Sequence, residues 1–433
     1  MDRIELTGKK YIRGECVPPP DKSISHRAVI FSALAEGRSS VKNFLRAEDT
    51  LGTVSVFRDL GVGIEERGGD LIIDGVGIHG LKEPGNVIDC RNSGTTMRLL
   101  SGVLSGCSFF SVLSGDDSLR RRPIKRVIAP LREMGAAIWG RDGDKYPPLA
   151  IRGGTLKPVC YRLPVASAQV KSAILLAGLY AQGETEIIEP FPSRDHTERM
   201  LPAFGAEVTV NGLSVKVKGG PQLKGRNTIV PGDFSSSAFF MVAALLMKGS
   251  DIVIRNVGIN PTRTGVMNVL KRMGGDIAVE HVREVSGEPV ADIRCRGGRE
   301  LRAVSIGGDE IPLLIDEFPI LCIAAARAEG ITSITGAGEL RVKESDRIKA
   351  MATGLRKFGV ELEEQPDGIS IKGKAVLRGS EVESYGDHRI AMSLSIAALV
   401  AEGTTVINNA SCVDISFPGF FEELRRLATG DGQ

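Results

Sequence analysis

The sequence predicts an α/β protein of two domains, each built from three copies of one repeated unit. Three observations carry this: a segment that recurs six times, a second helix that recurs with it, and a short last copy that the start of the chain can complete. The recurring segment is a polar, often cationic cluster, then a run of small and apolar residues, then glycine and a β-rich stretch. It reads DKSISHRAVIFSALAEGRSSV from Asp21, RNSGTTMRLLSGVLSGCSFFSV from Arg91, SAQVKSAILLAGLYAQGETEI from Ser167, DFSSSAFFMVAALLMKGSDIVI from Asp233, DEFPILCIAAARAEGITSI from Asp316 and DHRIAMSLSIAALVAEGTTVI from Asp387. The copies begin 66 to 83 residues apart.

In each copy the apolar run reads as a helix whose start carries the polar cluster, and the stretch after the glycine reads as a strand. A second helix follows, ending in FRDLGVGI, LREMGAAI, LPAFGAEV, LKRMGGDI and LRKFGVEL. Gly61, Gly135, Gly205, Gly274 and Gly359 stand where a helix turns left-handed at its C-terminal end. After each comes β-type sequence with turns, such as GGDLIIDGVGI or GLSVKVKGG. The unit is therefore helix, strand, helix, strands.

The sixth copy is short, because its second helix (FFEELRRLA) is followed only by a polar tail. The first 20 residues read as two strands and restore one full period, so they are expected to complete that copy. An N-terminal domain over 21–231 and a discontinuous C-terminal domain of 1–20 plus 232–433 follow. Only two chain crossings join them, near Pro18 to Pro20 and near Pro231 to Gly232. Two crossings make a hinge, and a cleft between such halves favours a small-molecule site.

With 433 residues, 42% of them apolar, the chain can bury large cores. A net charge of +2 argues against a general polyanion binder, so no nucleic acid is expected. Seven cysteines without a C-x-x-C pair are the usage of a reducing compartment. Five histidines show neither H-E-x-x-H nor Cys/His spacing, so no metal site is readable. No apolar run approaches a membrane span and no targeting segment opens the chain, which predicts a cytoplasmic protein.

A solenoid or clamp would explain the repeats alone. It would not need charge at the helix starts. Lys22, His26 and Arg27 lie in the first two turns after Asp21, an N-cap residue, where the helix dipole disfavours cations. An anionic ligand would offset that strain, with Ser23 and Arg27 suited to phosphate or carboxylate. Asn92, Gly94 and Arg98 form a second such start. In DDSLRRRPIKRV, Pro123 fixes Arg122 before a helix while its neighbours face water. Ser167, Ala168 and Gln169 open the third helix as a phosphate cradle. Arg194 reaches either the same ligand or a surface ion pair with Glu198 at i+4. Asp316 and Glu317 open the fifth helix, Lys343 and Arg347 stand one turn apart on a helix with Glu344 between them, and Asp387-His388-Arg389 opens the sixth. The ligands are expected to be small, multiply anionic and two in number.

DKSISHR, NSGTTMR, RPIKRV, SAQVKSA, RVKESDRI, GDHRIAM and SFPGF, in this order, closely resemble the 5-enolpyruvylshikimate-3-phosphate synthase family nearly end to end. The resemblance implies two domains of three βαβαββ-like units, an inside-out α/β barrel of the EPT/RTPC-like kind, with the active site in the interdomain cleft. It implies transfer of the enolpyruvyl group of phosphoenolpyruvate to the 5-hydroxyl of shikimate 3-phosphate, in chorismate and aromatic amino acid biosynthesis, by a monomer without metal or organic cofactor. It places shikimate 3-phosphate on Lys22, Ser23, Arg27, Ser167, Ala168, Gln169, Arg194, Asp316 and Lys343. Phosphoenolpyruvate falls to Lys22, Asn92, Gly94, Arg122, Gln169, Arg347 and Arg389. Asp316 is the expected base, with Lys22, Glu344 and His388 as proton carriers at the enolpyruvyl carbon.

Pro20, Arg91 and Ile415 stand where the family usually has Gly, Gly and Lys. RDHTE, SAQVK and NPTR resemble the branch that includes glyphosate-tolerant enzymes, which implies tolerance, although Pro20 departs from that branch's fourth motif. The sister transferases acting on UDP-N-acetylglucosamine carry a loop Cys before their Arg-Pro; here Asp117 takes that position.

Overall fold

The computed structural model describes residues 2–429. They divide into two compact units. The N-terminal unit holds Pro20–Val230 with Val285–Glu288, and the C-terminal unit holds Met1–Pro19, Pro231–Glu284 and Pro289–Gln433.

Five four-stranded sheets and one three-stranded sheet are present among the described residues. The second repeat shows the pattern. Ile88–Asp89 runs parallel to Phe110–Ser114, which pairs antiparallel with Tyr146–Arg152, and Ala137–Gly140 closes the far edge. Between these strands lie the helices Gly94–Ser105 and Lys125–Glu133. The same order, with the last strand inside and the penultimate strand at the edge, recurs in the four-stranded sheets of repeats three and five.

Repeats one and four depart from it by exchanging an edge strand. Arg13–Cys16 precedes the first helix, Lys22–Leu34, yet runs parallel to Asp251–Gly258 in the fourth repeat. Asn227–Ile229 precedes the fourth repeat's helix, Phe234–Leu246, yet runs parallel to Glu36–Lys42 in the first. The first 20 residues therefore do not all complete the sixth repeat: only Arg3–Thr7 does, antiparallel to Thr404–Asn408. The reason is the position of the crossings. The crossings after Pro19 and after Val230 each fall between an edge strand and its helix, so the strand stays with the unit the chain is leaving; the expected two crossings are not the whole count, because the turn Val285–Glu288 between Asp276–Val285 and Glu288–Arg296 also belongs to the N-terminal unit.

The first helix of each repeat is apolar nearly all round and is buried accordingly. In the C-terminal unit Phe234–Leu246, Phe318–Arg327 and His388–Leu399 pack on one another, and the sheets cover them. In the N-terminal unit the Gly94–Ser105 and Ala168–Gly178 helices pack on each other, and at Gly102 a Cβ would stand 2.1 Å from the Ala173 carbonyl oxygen. Gly102→Val is therefore expected to cost about 1–3 kcal/mol. Thermal unfolding checks it, and an unchanged midpoint would show slack between the helices.

The glycines that close the second helices have the backbone their position demands: φ is 88° at Gly61, 100° at Gly135, 103° at Gly205, 95° at Gly274 and 88° at Gly359.

Candidate active site

In the N-terminal unit, Asp21 caps the first helix, accepting from the Ile24 amide at 2.8 Å. Lys22 Nζ lies 2.9 Å from Asp49 Oδ2, and His26 Nδ1 lies 2.7 Å from Thr53 Oγ1, both on the helix Glu48–Asp59. The protein itself thus supplies Lys22 with a carboxylate, where the sequence suggested only a ligand. Asp49 carries no motif that would have singled it out.

His26 is a core histidine. Burial, with help from Lys22 and Arg27, holds its pKa well below the ordinary 6.5. The folded protein keeps the ring neutral, while the unfolded chain takes up a proton below that pH. Stability is therefore expected to fall as pH drops below 6.5, at up to about 1.4 kcal/mol per pH unit from this group. Unfolding midpoints of the wild type and of His26→Gln between roughly pH 5 and 7 test this; parallel curves would exclude it.

Arg27 is fully enclosed. Its Nε donates to Thr197 Oγ1 at 2.8 Å, Nη1 to the Ser23 carbonyl at 3.0 Å and Nη2 to Ser172 Oγ at 2.8 Å. All three acceptors are neutral. Burial pushes the guanidinium pKa down to about 10, with Glu198 and Asp21 opposing that and Arg194 adding to it. No carboxylate is among these hydrogen-bond partners, so the positive charge is left without an adjacent ion pair.

In the second repeat Ser93 caps its helix, accepting from the Thr96 amide at 3.1 Å. A Cβ at Gly94 would lie 2.4 Å from Arg98 Nη1, so glycine makes room for that guanidinium at this helix start, and Arg122 Nη1 stands 3.6 Å from the same point. Arg122 is buried while Arg121 and Lys125 are exposed, and it donates to Asn92 Oδ1 at 2.5 Å and Ser118 Oγ at 3.1 Å. Arg91, where the resembled family has glycine, adopts φ 50°. That left-handed backbone costs a side chain roughly 1 kcal/mol.

Gln169 joins the second and third helix starts. Its Oε1 accepts from Arg98 Nη1 at 2.7 Å and its Nε2 donates to Thr95 Oγ1 at 2.8 Å. Ala168 is the first residue of its helix, and Ser167 holds the cap position without a side-chain cap bond. Glu198 does not form a surface pair with the half-buried Arg194. It is buried, and Lys171 takes it at 2.6 Å together with Glu189 at 2.6 Å. Burial raises the Glu198 pKa and the Lys171 ammonium opposes that rise. Lys171 escaped notice because its position in SAQVK reads as part of an apolar helix.

The C-terminal unit gathers a denser cluster around Arg347, which is 1% exposed. Its guanidinium donates to Asp387 Oδ2 at 2.8 Å, to Glu344 Oε2 at 2.8 Å and to Asp316 Oδ1 at 3.2 Å. Burial alone would lower its pKa, but Asp387, Glu344 and Asp316 together raise it. Arg389 adds Nη2 at 3.4 Å from Asp316 Oδ2 and donates from Nη1 to the Asp316 carbonyl at 3.2 Å. Asp387 caps the His388–Leu399 helix through the Arg389 amide, and His388 is buried as its first residue. Lys343 is not on a helix with Arg347: it ends the tight turn Gly338–Val342, and the helix Arg347–Lys357 begins only after its cap, Asp346. The Asp346 carboxylate accepts from the Lys349 amide, which fixes that start.

Two sets of three α/β repeats, with guanidinium groups, amides and a few carboxylates gathered at buried helix starts, define an enzyme that handles small anions. The family model for EPSP synthase (3-phosphoshikimate 1-carboxyvinyltransferase) matches residues 6–424. A 3-phosphoshikimate 1-carboxyvinyltransferase of Citrifermentans bemidjiense is 56% identical over 97% of this chain and 98% of its own, and one of Pelobacter propionicus is 55% identical over 99% and 100%. The solved structure of an EPSP synthase from Acinetobacter baumannii superposes with a TM-score of 0.87 at 51% identity, covering 98% of both chains. The chain belongs to the EPSP synthase family.

Proposed function

We propose that this enzyme transfers the enolpyruvyl group of phosphoenolpyruvate to the 5-hydroxyl of shikimate 3-phosphate and releases phosphate, a step of chorismate biosynthesis. The observation that carries the reading is the Asp316 cluster, where one carboxylate lies against the guanidinium groups of Arg347 and Arg389.

Asp316 accepts the proton of the attacking hydroxyl as the oxygen bonds to C2 of phosphoenolpyruvate. C3 is protonated in the same addition, and the resulting tetrahedral intermediate loses phosphate. Lys22, Glu344 and His388 carry protons to and from C3. Ser23, Arg27, Ser167, Ala168, Gln169, Arg194 and Lys343 hold shikimate 3-phosphate, and Asn92, Gly94, Arg122, Arg347 and Arg389 hold phosphoenolpyruvate. Clamping two anions in one orientation lowers the barrier, and preorganised cations stabilise the charge that develops. Seven cysteines, all free thiols, support a cytoplasmic setting, and one chain bearing every assigned residue supports a monomer. No helix among the described residues is long and apolar enough to cross a membrane.

The test is phosphate release from phosphoenolpyruvate with shikimate 3-phosphate, with UDP-N-acetylglucosamine, or with neither. Release is expected only with shikimate 3-phosphate; release with the sugar nucleotide would move the enzyme to the sister class. The RDHTE, SAQVK and NPTR stretches support tolerance to glyphosate. Half-inhibition is expected well above the concentration that stops a sensitive enzyme assayed beside it, and equal inhibition would contradict this.

A further inference from the structure

We propose that Arg263 is a positioning residue for Asp316, acting through Ser235 and Glu317. The NPTR stretch of the fourth repeat has no place in the chemistry above, yet Asn260 is 1% and Arg263 2% exposed. The Asn260 side chain folds the turn, accepting from the Thr262 amide at 2.9 Å and the Thr262 hydroxyl at 2.8 Å. Arg263 Nη2 then donates to Ser235 Oγ at 2.7 Å and lies 3.8 Å from Asp233 Oδ1, the cap of the fourth repeat's first helix. Ser235 in turn donates to Glu317 Oε1, and Glu317 is buried.

Glu317 directly follows Asp316. The two carboxylates are therefore gripped separately, Asp316 by Arg347 and Arg389, and Glu317 by the Ser235–Arg263 pair. A second contact acts on the same segment. A Cβ at Gly265, two residues beyond Arg263, would stand 2.7 Å from the Leu313 carbonyl oxygen, so this turn packs directly on the chain leading into Asp316. Arg263 and Arg347 hold equivalent places, each just before or at the start of a second helix, Gly265–Arg272 and Arg347–Lys357. Held from both sides, the dipeptide cannot turn Asp316 away.

The inference rests on the reading of Asp316 as the base. It is tested by kcat and by both KM values for Arg263→Lys, Ser235→Ala, Asp316→Asn and the two double variants, each with its thermal midpoint. The expected result is a loss in kcat of tenfold or more for Arg263→Lys and for Ser235→Ala, with KM values moving less than threefold and no further loss when either is combined with Asp316→Asn. Full kcat with a lowered midpoint, or losses that multiply in the double variants, would overturn it. If Arg263→Lys does not fold, Ser235→Ala alone decides, because it cuts the bridge while leaving the guanidinium in place. Asp316→Asn with nearly wild-type kcat would instead overturn the assignment of the base.

Discussion

Asp316→Asn is expected to lower kcat about 10²–10⁴-fold, the range seen when a positioned general base is lost, while the protein stays folded. Asparagine keeps the shape and still accepts a hydrogen bond from Arg347, but it cannot take the hydroxyl proton. Arg347 would not be left as an uncompensated buried charge, because Asp387 and Glu344 remain on it at 2.8 Å each. The measurement is steady-state phosphate release beside thermal unfolding. A kcat within a few-fold of wild type would assign the proton to another carboxylate, with Glu344 the nearest alternative on Arg347.

Arg27→Met is expected to move function and stability in opposite directions. The guanidinium is buried against three neutral oxygens and its pKa is pushed down, so the fold bears the cost of keeping it charged. Methionine removes that cost, and Ser172 and Thr197 already bond each other at 2.7 Å. The midpoint should hold or rise, while KM for shikimate 3-phosphate should increase roughly 10- to 10²-fold, as expected for a lost charge-assisted bond. A collapse in stability with unchanged KM would make Arg27 a structural residue.

The parts of the fold that a residue type dictates locally were readable. Gly61, Gly135, Gly205, Gly274 and Gly359 mark helix ends because a side chain resists their backbone, and Asp21, Ser93, Asp233 and Asp387 mark helix starts because their oxygens meet free amides. What escaped was non-local. Nothing in Arg13–Cys16 says that its partner lies some 240 residues away in Asp251–Gly258. The same holds for charges. Lys22 and Glu198 could be seen as ionic, but Asp49 and Lys171 became their partners only when separate elements packed together. Lys343 was misplaced by a local rule, because alternating charges suggest one helix where Asp346 in fact starts a new one.

Carbon-13 NMR of a reaction with phosphoenolpyruvate labelled at C2 tests the central claim most directly. The account predicts that the label moves into a vinyl ether on the 5-oxygen of shikimate 3-phosphate, with one phosphate released for each ether formed. Label recovered in pyruvate, with phosphate released and no ether, would show hydrolysis in place of transfer and contradict it.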